Sequence, residues 1–315
     1  MTDGFAIVDK PAGMTSHDVV GRARKQLSER RIGHAGTLDP DATGVLLLGI
    51  GRATRLLQFL SGCDKTYVAD IELGTETDTL DAAGVVTATY DMSTVTRDDV
   101  VAAAEKFVGD IDQVPPMVSA IKIDGRRLHE LARQGIEVER PARRVHIERL
   151  VIEPTPTPPG AARALVPASP GAARALVPAP PGAARALVFR AEIDCSSGTY
   201  IRSLAADLGR ALGGGAHLRA LRRTRVGRFG IEEACPLDAL EVRPMIDAMR
   251  GTAAVTVADA IVALVRNGRV FRRDELGVGE GDGPWSIVSE AGELVAVYAS
   301  HGPERVKPTV VLVPS

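Results

Sequence analysis

At 315 residues the chain has room for one large domain and a smaller one. Hydrophobic residues at 45% and charged residues at 25% are those of a soluble globular protein and exclude a disordered or fibrous chain. A net charge of -2 excludes binding to nucleic acid by bulk charge alone, and aromatics at 3% leave the apolar interior mainly to Val, Leu, Ile and Ala.

FAIVDKP predicts a short strand ended by Pro11. A helix follows from Ser16, whose hydroxyl is the expected N-cap, with Val19, Val20 and Ala23 on its apolar side. GVLLLGIG reads as a buried strand bounded by glycines, and 53–60 as helical. TYVADIEL alternates as a half-buried strand does. Thr96 opens a helix over 96–108, with Asp98 and Asp99 in the first turn, where the helix dipole favours negative charge. RRVHIERLVIE is a further alternating strand and FRAEIDCSSGTY its expected partner. A helix over 201–212 is closed by Gly213-Gly214-Gly215.

Between those two partner strands the octapeptide PGAARALV starts at Pro159, Pro170 and Pro181, a period of 11 residues. Proline punctuation forbids one continuous helix, and each unit has too little apolar surface to bury. Residues 154–186 therefore read as an expanded hairpin loop dispensable for chemistry. The other reading is that Arg163, Arg174 and Arg185 add weak, nonspecific RNA affinity. From about Gly251 a helix-like VADAIVALVRNGRV precedes the short strands WSIVSE, ELVAVYAS and RVKPTVVLVP, a pattern that suits a small β-barrel. Strands and helices mix without a regular βαβ repeat, which makes the class α+β.

Cys63, Cys195 and Cys235 are far apart and odd in number, with no CxxC pair or Cys/His cluster at zinc spacing, so neither a disulfide framework nor a metal site is expected. The N-terminus lacks the basic start and apolar run of a signal peptide, and no apolar stretch reaches the roughly 20 residues of a membrane span. A cytoplasmic protein with no membrane contact is expected. The cations are clustered: Arg202, Arg210, Arg219, Arg222, Arg223, Arg225 and Arg228 against one acid, Asp207; Arg22, Arg24, Lys25, Arg30 and Arg31; and Arg126, Arg127, Arg133, Arg140, Arg143 and Arg144. Such clusters on a near-neutral chain suit a polyanion bound along one face, or a set of solvated helix faces.

Three segments carry candidate chemistry. RIGHAGTLDP, running on into ATGVL, has glycines at 33, 36 and 44 that permit close backbone approach, and it holds Asp39 in a turn fixed by Pro40. An Asp before Pro is more often a turn former than a catalyst. Phosphate-loop, GxSxG and HExxH spacings are absent. Lys65-Thr66-Tyr67 opens a strand, where a lone tyrosine is usually core. Cys195 to Arg202 (CSSGTYIR) is followed by GAHLRALRR over 215–223. Each segment alone is weak.

Together they resemble the TruB family of tRNA pseudouridine synthases. The likeness starts at DKPAGMTS (Asp9 to Ser16) and recurs in order through GHAGTLDPDATGVL, KTY, GTYIRSLAADLG and AHLRALRRTRVGRF, broken only by the PGAARALV insertion. TLD sets it apart from related families that carry Arg before Leu-Asp. The resemblance implies a catalytic domain over 1–250 with a mixed, largely antiparallel sheet flanked by helices, and a small PUA-like β-barrel that binds RNA over 251–315. It makes Asp39 the catalytic aspartate, Tyr67 the aromatic that stacks on the target uracil and Arg202 the partner of the aspartate. His34 would help displace the flipped base, and Leu221 would close the apolar underside of the uracil pocket. Gly36, Thr37, Lys65 and Arg222 fall in the matched motifs as substrate-binding positions. Lys10, grouped with them, belongs with Pro11 to a motif that supports the active-site loop. Residues 124–140 resemble the family's RNA-clamping loop, expected to order on tRNA.

The implied reaction turns uridine-55 of the tRNA T loop into pseudouridine by base flipping. It breaks the N1–C1′ bond and rejoins the ribose through C5, with no net redox change or hydrolysis. No cofactor or metal is therefore expected, and no obligate protein partner beside the tRNA T stem-loop; the chain should act as a monomer. A tRNA-folding chaperone that binds the T arm, with catalysis secondary or absent, is the alternative.

Overall fold

The computed structural model describes residues 2–119, 138–155 and 187–313, with short pieces at 122–123, 126–128, 134, 136, 163–164 and 177–178. Most of the clamp-like segment 124–140 and nearly all of the repeat region 154–186 lie outside the described residues. The chain divides into two compact units, Met1–Cys63 with Arg225–Ser315, and Asp64–Thr224.

The first unit opens with strand β1 (Gly4–Lys10), helix α1 (Ser16–Leu27), β2 (Ile32–Ala35) and β3 (Thr43–Ile50). A 3-10 turn (Gly51–Leu56) runs into α2 (Leu57–Ser61). β3 pairs antiparallel with β1 (Val8 opposite Leu46) and with β2 (His34 opposite Leu48). Residues 45–50 are all buried, as expected of a strand covered on both faces, and so show no polar alternation. On one face, Ala6, Val8, Leu46 and Leu48 meet Val19, Val20 and Ala23 of α1. The predicted apolar stripe of α1 holds, but its predicted cap does not. Thr15 is the N-cap: its hydroxyl accepts from Asp18 N, and the Asp18 carboxylate accepts from Thr15 N. That capping box contributes about 1 kcal/mol. Ser16 turns inward instead.

The second unit takes β4 (Lys65–Leu73), a small hairpin β5 (Thr75–Thr77) and β6 (Val86–Thr89), then α3 (Arg97–Glu105), β7 (Gly109–Gln113), β8 (Arg143–Pro154), β9 (Leu187–Cys195), α4 (Ile201–Ala211) and β10 (Ala216–Val226). Its strands run in the order β10, β4, β9, β8, β7. β4 with β9, β9 with β8 and β8 with β7 are antiparallel. Thr96 caps α3 as expected, in a second capping box with Asp99. β4 buries every second residue, Lys65, Tyr67, Ala69, Ile71 and Leu73, and turns Asp70 and Glu72 outward. Outward groups pair across strands: Arg190 lies opposite Asp70 with Nε donating over 3.0 Å, and Arg149 opposite Asp194 likewise.

His146 of β8 stands exposed, with Nδ1 2.7 Å from Asp110 and Nε2 3.3 Å from Glu148. The bond to Asp110, then that to Glu148, raises the imidazole above its ordinary value. With the folded value above the unfolded one, the stabilisation is complete below the ordinary pKa of about 6.5 and is lost as pH rises through the folded value. In an NMR titration His146 is expected to deprotonate above that ordinary value, and Asp110→Asn to bring it back down; an unshifted His146 in the wild type would refute the pairing.

The chain returns to the first unit through Arg225 and Val226, which pair with Gly230 and Phe229. A C-terminal sheet of the PUA-like kind follows. Its strands run in the order Ala253–Val257, Trp285–Ser289, Leu294–Ser300, Arg305–Val311, Phe271–Arg272. Its own core gathers Trp285, Ile287, Tyr298 and Phe271 around Val265 of the helix Asp259–Arg266. Leu294, Val297, Val310 and Leu312 belong instead to the core of Phe5, Ile7, Val45, Leu47 and Phe229, on the face of β1 and β3 away from α1. Arg52 seals that junction, paired with Asp3 at 2.7 Å and donating to the Leu312 carbonyl, while Arg55 donates to Val311 O. Burial pushes the Asp3 carboxyl up, but the bonds from Arg52 outweigh it and hold the group below its ordinary value.

None of the three cysteines is in a disulfide. Burial pushes Cys195 up to about 11, and Cys235 is also buried, whereas Cys63 is partly exposed. Because the thiolate is the nucleophile, iodoacetamide at about pH 8 is expected to label Cys63 first in the native protein. Peptide mass spectrometry showing Cys195 labelled first would contradict this packing. No helix among the described residues is long and apolar enough to cross a membrane.

Candidate active site

The Asp39 loop is shaped by groups reaching in from the segment before and within α1. Lys10, wholly buried at the end of β1, points its ammonium at three carbonyls: Pro11 at 2.9 Å, Met14 at 2.5 Å and Pro40 at 2.9 Å. Three oriented dipoles offset much of the cost of burying that charge. Gly13 N donates to the same Pro40 carbonyl over 2.9 Å. Ser16 Oγ accepts from Leu38 N at 2.9 Å and donates to Leu38 O at 3.2 Å. Ala42 N donates to Asp39 O at 3.1 Å. The carbonyls of residues 38, 39 and 40 are thus each engaged.

Gly36 enters this loop at φ +77°, a left-handed conformation that glycine adopts without strain. Asp39 itself is half-buried, Thr37 beside it exposed. His34 sits on β2, half-buried, with its ring 5.4 Å from that of His17 in an edge-on contact. Lys10, His34, Gly36, Thr37 and Asp39 therefore all lie in the first unit, along β1, β2 and the loop that leads to β3.

The remaining candidates lie in the second unit. Lys65 and Tyr67 share the buried face of β4, with Tyr67 opposite Ile193 and 7% exposed. Leu221 and Arg222 are half-buried on β10. Arg202 is the second residue of α4 and is 4% exposed. Its guanidinium donates to Thr79 O at 3.2 Å and to Val118 O at 2.8 Å, and Nη1 lies 3.5 Å from Asp81 Oδ2. Asp81 is fixed in turn: its Oδ1 accepts from Thr79 Oγ1 at 2.7 Å and Ala83 N at 3.0 Å, and its carbonyl from Thr77 Oγ1 at 2.7 Å.

The start of α4 is held by Gln113, whose amide accepts from Tyr200 N at 2.7 Å and donates to Tyr200 O at 3.0 Å. At the other end Gly209 lets α4 approach β10: a Cβ there would lie 2.4 Å from Ala216 N. Arg202 is therefore held at its head by a fork of acceptors and at its base by a pinned helix start.

Asp81, Gln113 and Ser16 escaped the sequence reading as site residues. The signal for Asp81 was there, in the TDTLDAAG turn with two threonines around two aspartates. The cationic cluster over 202–228 needs correction: Arg202 and Arg223 are buried, and Arg219 spends part of its charge on Glu72 at 3.4 Å. Only Arg210 and Arg228 of that group are exposed, and Arg210 pairs with Asp207. The cluster over Arg22, Arg24, Lys25, Arg30 and Arg31 is exposed throughout, as a surface for phosphates requires.

This architecture has close counterparts among solved structures. A Cbf5–Nop10–Gar1 complex superposes with a TM-score of 0.67 at 25% identity, over 99% of this chain and 85% of that one. An H/ACA RNP bound to a substrate RNA containing 2′-deoxyuridine gives 0.66 at 24%, again over 99% and 85%. Two family models match: TruB family pseudouridylate synthase (N terminal domain) over residues 24–171, and tRNA pseudouridylate synthase B C-terminal domain over 202–250. Fold and motif loop together define a pseudouridine synthase, an isomerase acting on RNA.

Curated relatives narrow this further. The tRNA pseudouridine synthase B of Mycolicibacterium paratuberculosis (strain ATCC BAA-968 / K-10) is 44% identical over 99% of this chain and 98% of its own length. That of Mycobacterium sp. (strain KMS) is 43% identical over 99% and 97%. The chain belongs to the TruB family.

Proposed function

We propose that the chain converts uridine-55 in the tRNA T loop to pseudouridine, with Asp39 as the catalytic carboxylate. The observation that carries this reading is the Asp39 loop: three successive carbonyls engaged around one half-buried aspartate, on a motif that matches the family. A backbone held this firmly places a carboxylate in one position, which is what attack on the sugar or base, or removal of a sugar proton, requires.

In this reading a T-loop uridine is flipped out at a cost of a few kcal/mol of stacking. Tyr67 returns roughly 1–3 kcal/mol of it by stacking on the base. Arg202 is the cationic partner of the aspartate, and His34 helps displace the base. Leu221 forms the apolar floor, while Gly36, Thr37, Lys65 and Arg222 line the substrate; Lys10 acts through the loop it clamps. Residues 1–250 supply catalysis and 251–315 a PUA-like RNA-binding element. The rearrangement breaks N1–C1′ and forms C5–C1′; C5 gives up one proton to solvent and N1 takes one up, so atoms and electrons balance without a cofactor. We further infer a cytoplasmic monomer, since a tRNA arm is all that this scheme needs.

The test is pseudouridine formation in unmodified tRNA, mapped by position, with wild type, Asp39→Asn and added chelator. Conversion at the T-loop uridine that survives chelation and is lost in the variant supports the modified position, the role of Asp39 and chemistry without a metal. Conversion elsewhere overturns the site, and tRNA binding without conversion turns the reading towards a folding chaperone.

A further inference from the structure

We propose that Ser16 is a positioning residue for the reaction: its one hydroxyl grips both backbone groups of Leu38 and so sets where the neighbouring Asp39 carboxylate points. The inference rests on Asp39 being the catalytic carboxylate. Ser16 lies at the start of α1, where a serine is expected to cap the helix; Thr15 has that task, which leaves the Ser16 hydroxyl for another. The side chain is 1% exposed and bonds across 22 residues of chain, accepting from Leu38 N at 2.9 Å and donating to Leu38 O at 3.2 Å.

A hydroxyl can donate one bond while accepting others, so a single oxygen satisfies both groups of one peptide residue. Neither group of Leu38 is used by a strand ladder, since β2 ends at Ala35 and β3 begins at Thr43. Lys10 and Gly13 fix the other side of Asp39, at the Pro40 carbonyl. Asp39 is therefore bracketed, and Ser16 is the side-chain bracket on its N-terminal side. Loss of the hydroxyl leaves Leu38 two unmet buried groups, which are met only by moving the loop. Misplacement of a reacting group by about 1 Å costs about 100-fold in rate.

The experiment compares Ser16→Ala, Ser16→Thr, Thr15→Ala and Asp39→Asn in full-length protein. It reads the single-turnover rate on unmodified tRNA, tRNA affinity by filter binding, melting temperature and exchange of the Leu38 amide. Ser16→Ala is expected to slow the chemical step by about 100-fold, to leave affinity within about twofold and to speed Leu38 exchange. Ser16→Thr, which keeps the hydroxyl, is expected to restore most of the rate. Thr15→Ala removes the helix cap without touching Leu38, so it lowers the melting temperature and keeps the rate. Should Ser16→Ala not fold, Ser16→Cys replaces it, with a similar volume but a weak donor and acceptor.

A wild-type rate in Ser16→Ala or Ser16→Cys with faster Leu38 exchange would overturn the proposal. So would an equal loss of rate in Thr15→Ala, which would trace the effect to the helix as a whole. A fully active Asp39→Asn would instead remove the underlying reading, whatever Ser16 does.

Discussion

Asp39→Asn is expected to abolish pseudouridine formation, by at least about 1,000-fold, while tRNA affinity stays within about twofold. Asparagine has nearly the same shape but carries no negative charge. It can neither attack as a nucleophile nor take a proton from the sugar, so both routes open to a carboxylate close together. The bonds that shape the loop come from Ser16, Lys10, Gly13 and Ala42, and all of them persist in the variant. Folding should therefore survive, and the loss should appear in turnover alone. Single-turnover conversion beside a binding isotherm checks it; turnover within tenfold of wild type would remove Asp39 from the mechanism.

The second large effect is expected at Arg202. Arg202→Lys should reduce turnover by about 100-fold with only a small loss of melting temperature. The guanidinium reaches Thr79 O, Val118 O and Asp81 at once, from a nearly fully buried position. An ammonium keeps the charge that Asp81 needs but cannot span three acceptors with a planar fork. Asp81→Asn should show the opposite balance. It removes the carboxylate charge 3.5 Å from a buried guanidinium and is expected to lower the melting temperature clearly. Urea titrations of both variants beside turnover separate the cases. If Arg202→Lys turned over like wild type, the fork geometry would be irrelevant to the chemistry.

Local patterns predicted much of this molecule. The alternation of TYVADIEL placed Tyr67 on a buried face, and the i, i+1, i+4 spacing of Val19, Val20 and Ala23 gave the face of α1. The family motifs supplied candidates of which Lys10 and Arg202 are buried and hydrogen-bonded, while Thr37 is exposed. What escaped was decided at long range. Ser16 looks like a cap until Thr15 is seen to do that work. Asp81 reads as one acid among many until Arg202, 121 positions later, is found beside it. β10 carries four arginines between residues 219 and 225, and arginines in a row suggest water; Arg223 is nonetheless 1% exposed. The C-terminal strands looked like an appended barrel, and no local pattern told that Leu294 and Val310 complete the core begun by Phe5 and Leu47.

That shared core has a consequence for how the protein is made. A ribosome delivers β1 and β3 long before the residues that cover one of their faces, Leu294, Val297, Val310 and Leu312. Residues 64–224 form a unit from one continuous stretch and can fold as they emerge. β1 and β3 must wait through that whole stretch with an apolar face uncovered, and their core is finished only when residues 294–312 close on it. A segment made before residues 64–224 is thus completed after them, and a nascent chain stalled before residue 294 would hold the Asp39 loop on an unfinished foundation.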